Sequence, residues 1–162
     1  MKKQISLTLI FILAILFAQA QTEKVYDENA DAAADIKKAV DMAKQENKHV
    51  LIVIGGNWCP WCLRLNKMIH EDPEIESALY DNYVVVKVNY DKEHTNMPVL
   101  SKLDFPQRLG FPVIVILNQD GQRIHTQNSA YLELEKSYDK KKLIGFFNDW
   151  TVAKLDASNY IN

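Results

Sequence analysis

Residues 49–62 read HVLIVIGGNWCPWC. Residues 49–54 form a short run rich in β-branched side chains, the pattern of a strand buried on both faces. Gly55, Gly56 and Asn57 break that strand. Beyond them Cys62, Leu65 and Ile69 recur at helical spacing and share one face of a new helix. Cys59 therefore falls at a strand-to-helix junction. Unsatisfied backbone N–H groups and the positive end of the helix macrodipole both favour an anion there. That setting is expected to depress the pKa of the Cys59 thiol. Pro60 fits the first turn, where its missing N–H is not needed. Cys62, at i+3, lies on the same face one turn deeper. The chemistry this arrangement predicts is thiol–disulfide exchange. Cys59 attacks a disulfide and forms a mixed disulfide; Cys62 then attacks Cys59 and releases the reduced thiol, and the reverse sequence oxidises a dithiol.

Other uses of the two cysteines fit less well. A structural zinc site needs four ligands, and Cys59 and Cys62 are the only cysteines. His49, His70, His94 and His125 are scattered without metal-ligand spacing and read as ordinary strand or surface residues. Haem attachment requires a histidine directly after the second cysteine, and Leu63 stands there. A cross-link closing so short a loop does little for stability, so the pair is there to react. No metal and no cofactor are expected.

Working outward, residues 31–47 place Ile36, Val40 and Ala43 on one apolar helical face. Residues 21–30 ahead of that helix are polar and read as a flexible lead-in. Asp72 and Pro73 restart a helix as N-cap and first residue, with Ile75 and Leu79 facing inward. Residues 83–89 (YVVVKVN) and 113–117 (VIVIL) are two further buried strands. The connection between them, residues 91–110, is expected to be partly helical around residues 99–103. Asp120-Gly121 turns into a fourth strand at residues 123–126. Residues 138–154 carry Leu143, Phe146, Phe147 and Trp150 at helical spacing, a core-facing helix. This order, α-β-α-α-β-α-β-β-α, predicts an α/β fold: a mixed central β-sheet flanked by helices, in one domain.

Composition agrees with a globular chain. The 162 residues are 48% hydrophobic and 25% charged, with 19 Lys+Arg against 21 Asp+Glu for a net charge of −2. So balanced a chain has no polybasic surface for nucleic acid. Lys2 and Lys3 precede an apolar stretch at residues 7–17, and Ala18-Gln19-Ala20 gives the small-x-small pattern of signal cleavage. The 14 residues at positions 5–18 fall short of the ~20 that span a bilayer, which favours a cleaved signal over a membrane anchor. The expectation is a signal peptide at 1–20, cleavage before Gln21, and a soluble domain at 21–162 that is periplasmic or secreted. No cysteine follows the stretch to carry a lipid.

Three segments together resemble the thioredoxin superfamily. VLIVIGGNWCPWC is similar to the family's strand, W-C-x-x-C junction and active-site helix. VVVKVNYD, at 84–91, resembles its central strand, lysine included, at Lys87. LGFPVIVILNQDGQ, at 109–122, resembles the segment where a cis-proline precedes an inner strand and hairpin. The resemblance covers residues 49–154, with the first helix as an N-terminal extension. It implies that Pro112 is cis and beside Cys59, whereas the residues alone leave an X-Pro bond trans. It also implies that Phe111 offers backbone groups to an extended substrate. Trp58 and Trp61 either cap the core edge or rim the substrate site, and Trp61 is favoured as the rim. One departure stands out. Val53 occupies the position of the family's buried carboxylate, so Lys87 lacks that acidic partner and either water or another carboxylate moves the Cys62 proton. The Pro60-Trp61 pair differs from the Gly-Pro of thioredoxin, and the connection between Lys87 and Pro112 is longer.

The resemblance implies a disulfide-exchanging enzyme, and with the signal pattern of residues 1–20 the expectation is an exported one that acts on cysteine-containing exported proteins. No histidine between the cysteines adds charge to hold the thiolate, which favours reduction or disulfide editing over primary oxidation. A reductant outside the cytosol needs a membrane or periplasmic redox partner. A dedicated isomerase is disfavoured, because editing relatives often add a dimerisation domain. The alternatives are a binding module of the same fold without redox turnover, for which Val53 is the best support, and a dithiol oxidase.

Overall fold

The computed structural model describes residues 24–161. The segment read as a signal and its cleavage point lie outside them. Four strands form one sheet: β1 (His49–Gly55), β2 (Tyr83–Asn89), β3 (Val113–Leu117) and β4 (Arg123–Asn128), in the order β2-β1-β3-β4. β1 and β2 run parallel with Val53 opposite Lys87. β3 is antiparallel to β1 and to β4, the last pairing through a turn at Gly121, whose φ of 77° is the left-handed value that glycine tolerates.

Every residue of β1 and β3 is buried, which is why their sequences lack polar alternation. Side-chain alternation divides them between two cores. Leu51, Val53, Ile114 and Ile116 face one side, against Leu65 and Ile69 of α2 (Pro60–Glu71), Ile75 and Leu79 of α3 (Pro73–Tyr80), and Leu143 and Phe147 of α5 (Lys140–Asp149). Val50, Ile52, Ile54, Val113, Val115 and Leu117 face the other side. There they meet α1 (Ala32–Glu46) and Leu100 of α4 (Met97–Lys102). Asp72 serves two helices: its N–H bonds to Met68 O at the end of α2, and its carboxylate accepts from Glu74 N and Ile75 N at the start of α3. The fold is thus the expected mixed sheet between helices, with a helix ahead of the first strand.

Two local expectations need correction, and a third is sharpened. In α1 Ile36, Val40 and Ala43 share one face against the core as expected, with Ala32, Ala39 and Ala43 as its buried ridge and Ile36 and Val40 half-buried at its rim. Methyl side chains let the helix approach the sheet closely, and the larger residues fill the margins. The stretch at 138–154 is not one helix. Tyr138 belongs to a two-residue strand, β6 (Ser137–Tyr138), paired with β5 (Glu133–Leu134). Asp139 then caps α5 by accepting from Lys141 N and Lys142 N, and Thr151 caps a separate turn, α6 (Val152–Leu155). These side-chain oxygens compete for backbone N–H groups that a continuous helix would use. Finally, the polar lead-in is not loose over its whole length. Tyr26 is 1% exposed and is held by the loop after β1.

Ala43, with no exposed surface, gives a test of the α1 interface. Ala43→Leu should overpack it and lower stability by about 1–3 kcal/mol in denaturant titration. Lys38→Leu, on an exposed position of the same helix, should change stability by no more than about 0.5 kcal/mol.

Candidate active site

Cys59 is the N-cap of α2, with extended backbone (φ −95°, ψ 107°), and Pro60 occupies the first helical turn. Its Sγ accepts a hydrogen bond from the Cys62 N–H at 3.2 Å. The cap role filled by a serine or aspartate oxygen in other helices is filled here by sulfur. The two cysteines are joined as a disulfide, with Cα atoms 5.2 Å apart. Both are buried, Cys59 to 4% and Cys62 to 1% exposure. In the reduced state the same N–H and the helix terminus would face the Cys59 thiolate.

The two glycines before the motif are required by close approach. A Cβ on Gly55 would stand 2.5 Å from Cys62 Sγ, and one on Gly56 would stand 2.5 Å from the Trp58 indole nitrogen. Trp58 fits against the chain there because its Nε1–H donates to Tyr90 O at 2.7 Å. Trp58 is 56% exposed and meets Phe111 edge-on at 5.6 Å, and Phe111 packs on Tyr90 at 4.7 Å. Trp61 turns the other way. It is half-buried, edge-on to Tyr138 at 5.4 Å, with the Arg64 guanidinium 4.8 Å over its ring. So Trp58 is the indole on the open side of the disulfide, and Trp61 packs toward β6. The Phe111–Pro112 peptide is cis, Pro112 is buried, and Phe111 is half-buried against the Cys59–Cys62 cluster.

An open groove of about 630 Å³ runs along Trp58 and Tyr90, with Glu28, Asp91 and Glu93 on its walls. Asp91 organises this wall. Its carboxylate accepts from Asn89 Nδ2 (2.7 Å), Glu93 N (2.8 Å) and His94 N (2.6 Å). The Asn89 bond, then the His94 amide, bring its pKa down to about 2. No motif marks this loop in the sequence, because its bonds join short polar side chains to each other and to nearby backbone.

Lys87 sits opposite Val53, as the register requires, and its Nζ donates to Asn66 Oδ1 of α2. An amide oxygen therefore meets the lysine. Asn66 was not singled out from the sequence; its place one helical turn after Cys62 is the signal that could have found it. Among the described residues, no three His, Cys, Asp or Glu side chains converge as a metal site.

A model of the thioredoxin-like family matches residues 31–119, which spans α1, the cysteine junction and β3. The chain belongs to this family. It is similar to the crystal structure of disulphide isomerase from Xylella fastidiosa Temecula1, with 27% identity and a TM-score of 0.71, over 79% of this chain and 97% of that one. A thioredoxin from Thermus thermophilus shares the fold at 18% identity and a TM-score of 0.53, over 76% of this chain and 88% of that one. Spermatogenesis-associated protein 20 of Rattus norvegicus is 32% identical over 56 residues, 35% of this chain. This match spans only 7% of that relative's length.

The Asp91 cluster predicts its own titration. A carboxyl held below its unfolded value of ~3.9 stabilises the loop fully above that pH, and the contribution is lost as pH falls through about 2. Carbon NMR of the Asp91 carboxyl should give a midpoint near 2. A midpoint near the unfolded value would mean that the three bonds are not formed.

Proposed function

We propose that the protein is an exported thiol–disulfide oxidoreductase that acts on cysteines of other exported proteins, in the direction of reduction or disulfide editing. The observation that carries this reading is the Cys59–Cys62 pair at the start of α2, bonded to each other and aligned with the helix N-terminus. In the reducing direction the Cys59 thiolate attacks a substrate disulfide and expels one substrate thiolate, which takes up a proton. Cys62 then loses its proton and attacks Cys59, forming the internal disulfide and releasing the second substrate thiol. Two electrons pass to the substrate, and a membrane or periplasmic redox partner restores them. The groove along Trp58 and the half-buried Phe111 next to Pro112 support this reading, as surfaces on which an extended substrate segment could pair.

Several features support this direction. Pro60 and Trp61 between the cysteines carry no charge that would hold the thiolate and raise the potential. The Xylella fastidiosa structure named a disulphide isomerase is similar to this chain over 97% of its own length, which supports editing as one form of this activity. Export rests on the charged and apolar pattern of residues 1–20.

A second reading, a binding module without turnover, draws on Val53 standing in place of a carboxylate. One variant separates the two. Cys62→Ser should accumulate mixed disulfides between Cys59 and client proteins on non-reducing gels, and a binding module would accumulate none. Direction is read from the couple's reduction potential in thiol buffers. A value near ~−270 mV supports the reductant, one of about −180 mV supports editing, and one of about −120 mV overturns this direction in favour of an oxidant.

A further inference from the structure

Tyr26 is a buried phenol that the exchange steps above do not use. It packs with Cys59 and Cys62 in a small cluster of their own, with Phe111 and Trp61 at the edges. The active-site loop holds it there: Tyr26 N–H donates to Asn57 Oδ1 at 3.0 Å, and Asn57 Nδ2 donates to Tyr26 O at 2.8 Å. Asn57 Nδ2 also reaches Glu28 Oε1 at 3.2 Å. The phenol ends close to the resolving sulfur. A Cβ on Gly55 would lie 2.5 Å from Cys62 Sγ and 2.9 Å from Tyr26 Oη, so the two atoms are at most 5.4 Å apart, the sum of those distances. Tyr26 and Cys62 also line one cavity of about 10 Å³ with Val53, Asn66, Tyr80 and Lys87. That is about the space of one water.

We propose that Tyr26 is a positioning residue for the resolving thiol. In the reduced protein its O–H donates to Cys62 Sγ, directly or through one water, and so favours the thiolate that attacks Cys59. The inference rests on the exchange reading above. Burial to 1% exposure disfavours a Cys62 thiolate, and a donor to the charged form offsets that cost. Burial pushes the Tyr26 phenol itself up, so it remains a donor across the working pH range. The bonds balance without an added reagent. The Cys62 proton leaves to solvent through the cavity, the new Cys59–Cys62 bond forms, and the Cys59–substrate bond breaks onto the substrate sulfur. Tyr26 keeps its proton throughout.

The charged and titratable groups that face Cys62 are Lys87 from β2, Tyr80 from α3, Cys59 at the head of α2, and Tyr26. Tyr138 approaches from β6 through its bond to Trp61 O. Lys87 would act in the same direction by its charge, so the test separates the two.

In a Cys59→Ser background Cys62 is the sole thiol, and its thiolate absorbance can be followed against pH. Adding Tyr26→Phe should raise the midpoint by about one unit, or about tenfold less thiolate at neutral pH. In the two-cysteine protein, Tyr26→Phe should slow release of a mixed disulfide about tenfold at pH 7, with the gap closing at alkaline pH. The rate at which Cys59 is alkylated should stay within about twofold, which a general loss of structure would not allow. An unchanged midpoint in Tyr26→Phe overturns the proposal, as does a shift produced only by Lys87→Met. Should Tyr26→Phe not fold, the Cys59→Ser protein with Lys87→Met decides. A Cys62 midpoint that stays at or below the free-thiol value of ~8.5 without the lysine, despite burial, supports the Tyr26 donor, and a midpoint well above it overturns the proposal. If the wild type reduced no disulfide, the exchange reading would fall, while the thiol titration would still report on Tyr26.

Discussion

The last residue of β1 has no side chain, and the reactive end of the molecule depends on that. The Cys62 sulfur and the Tyr26 phenol both occupy space that any Cβ on Gly55 would take. Gly55 O in turn accepts from Tyr90 N at 2.6 Å, which fastens the loop after β2 to the same point. Trp58 then bonds to Tyr90 O, and Phe111 packs on Tyr90. One missing methyl thus lets α2, the N-terminal segment, the β2 loop and the β3 approach meet around a single disulfide. A larger residue there would push α2 away from the sheet, and the Cys59 cap geometry with it.

Much of this was legible in the chain. β1 and β3 declare themselves because strands buried on both faces need unbroken apolar runs. Asp72 and Pro73 mark a helix start because cap chemistry is local. The cysteine pair is local too. Part of what escaped reading depends on contacts between distant positions. Tyr26 lies 31 residues before Asn57, in a polar segment with no periodicity, and only the folded loop shows why an aromatic residue stands there. Trp58 and Trp61 are alike as sequence; the helix start sends one toward the groove and the other toward Tyr138. At the C-terminal end, apolar spacing ran on through Trp150, but Asp139 and Thr151 set the helix boundaries.

Val53 shows how one substitution changes its surroundings. With no carboxylate on β1, Lys87 finds its oxygen on α2 instead, at Asn66. The lysine thereby links β2 to the active-site helix one turn beyond Cys62. An amide accepts without charge, so the polar link survives with one anion fewer beneath the disulfide.

The Asn57 clamp also bears on where the domain begins. The family match starts at residue 31, so it includes Asn57 but leaves out Tyr26, the other partner in both bonds. A recombinant fragment trimmed to that boundary would keep the sheet and both cysteines but remove one wall around the Cys62 sulfur. It would open the buried thiol to solvent and to reagents that the longer protein turns away. Residues 24–31 ahead of α1, though they form no strand or helix, are part of the reaction chamber.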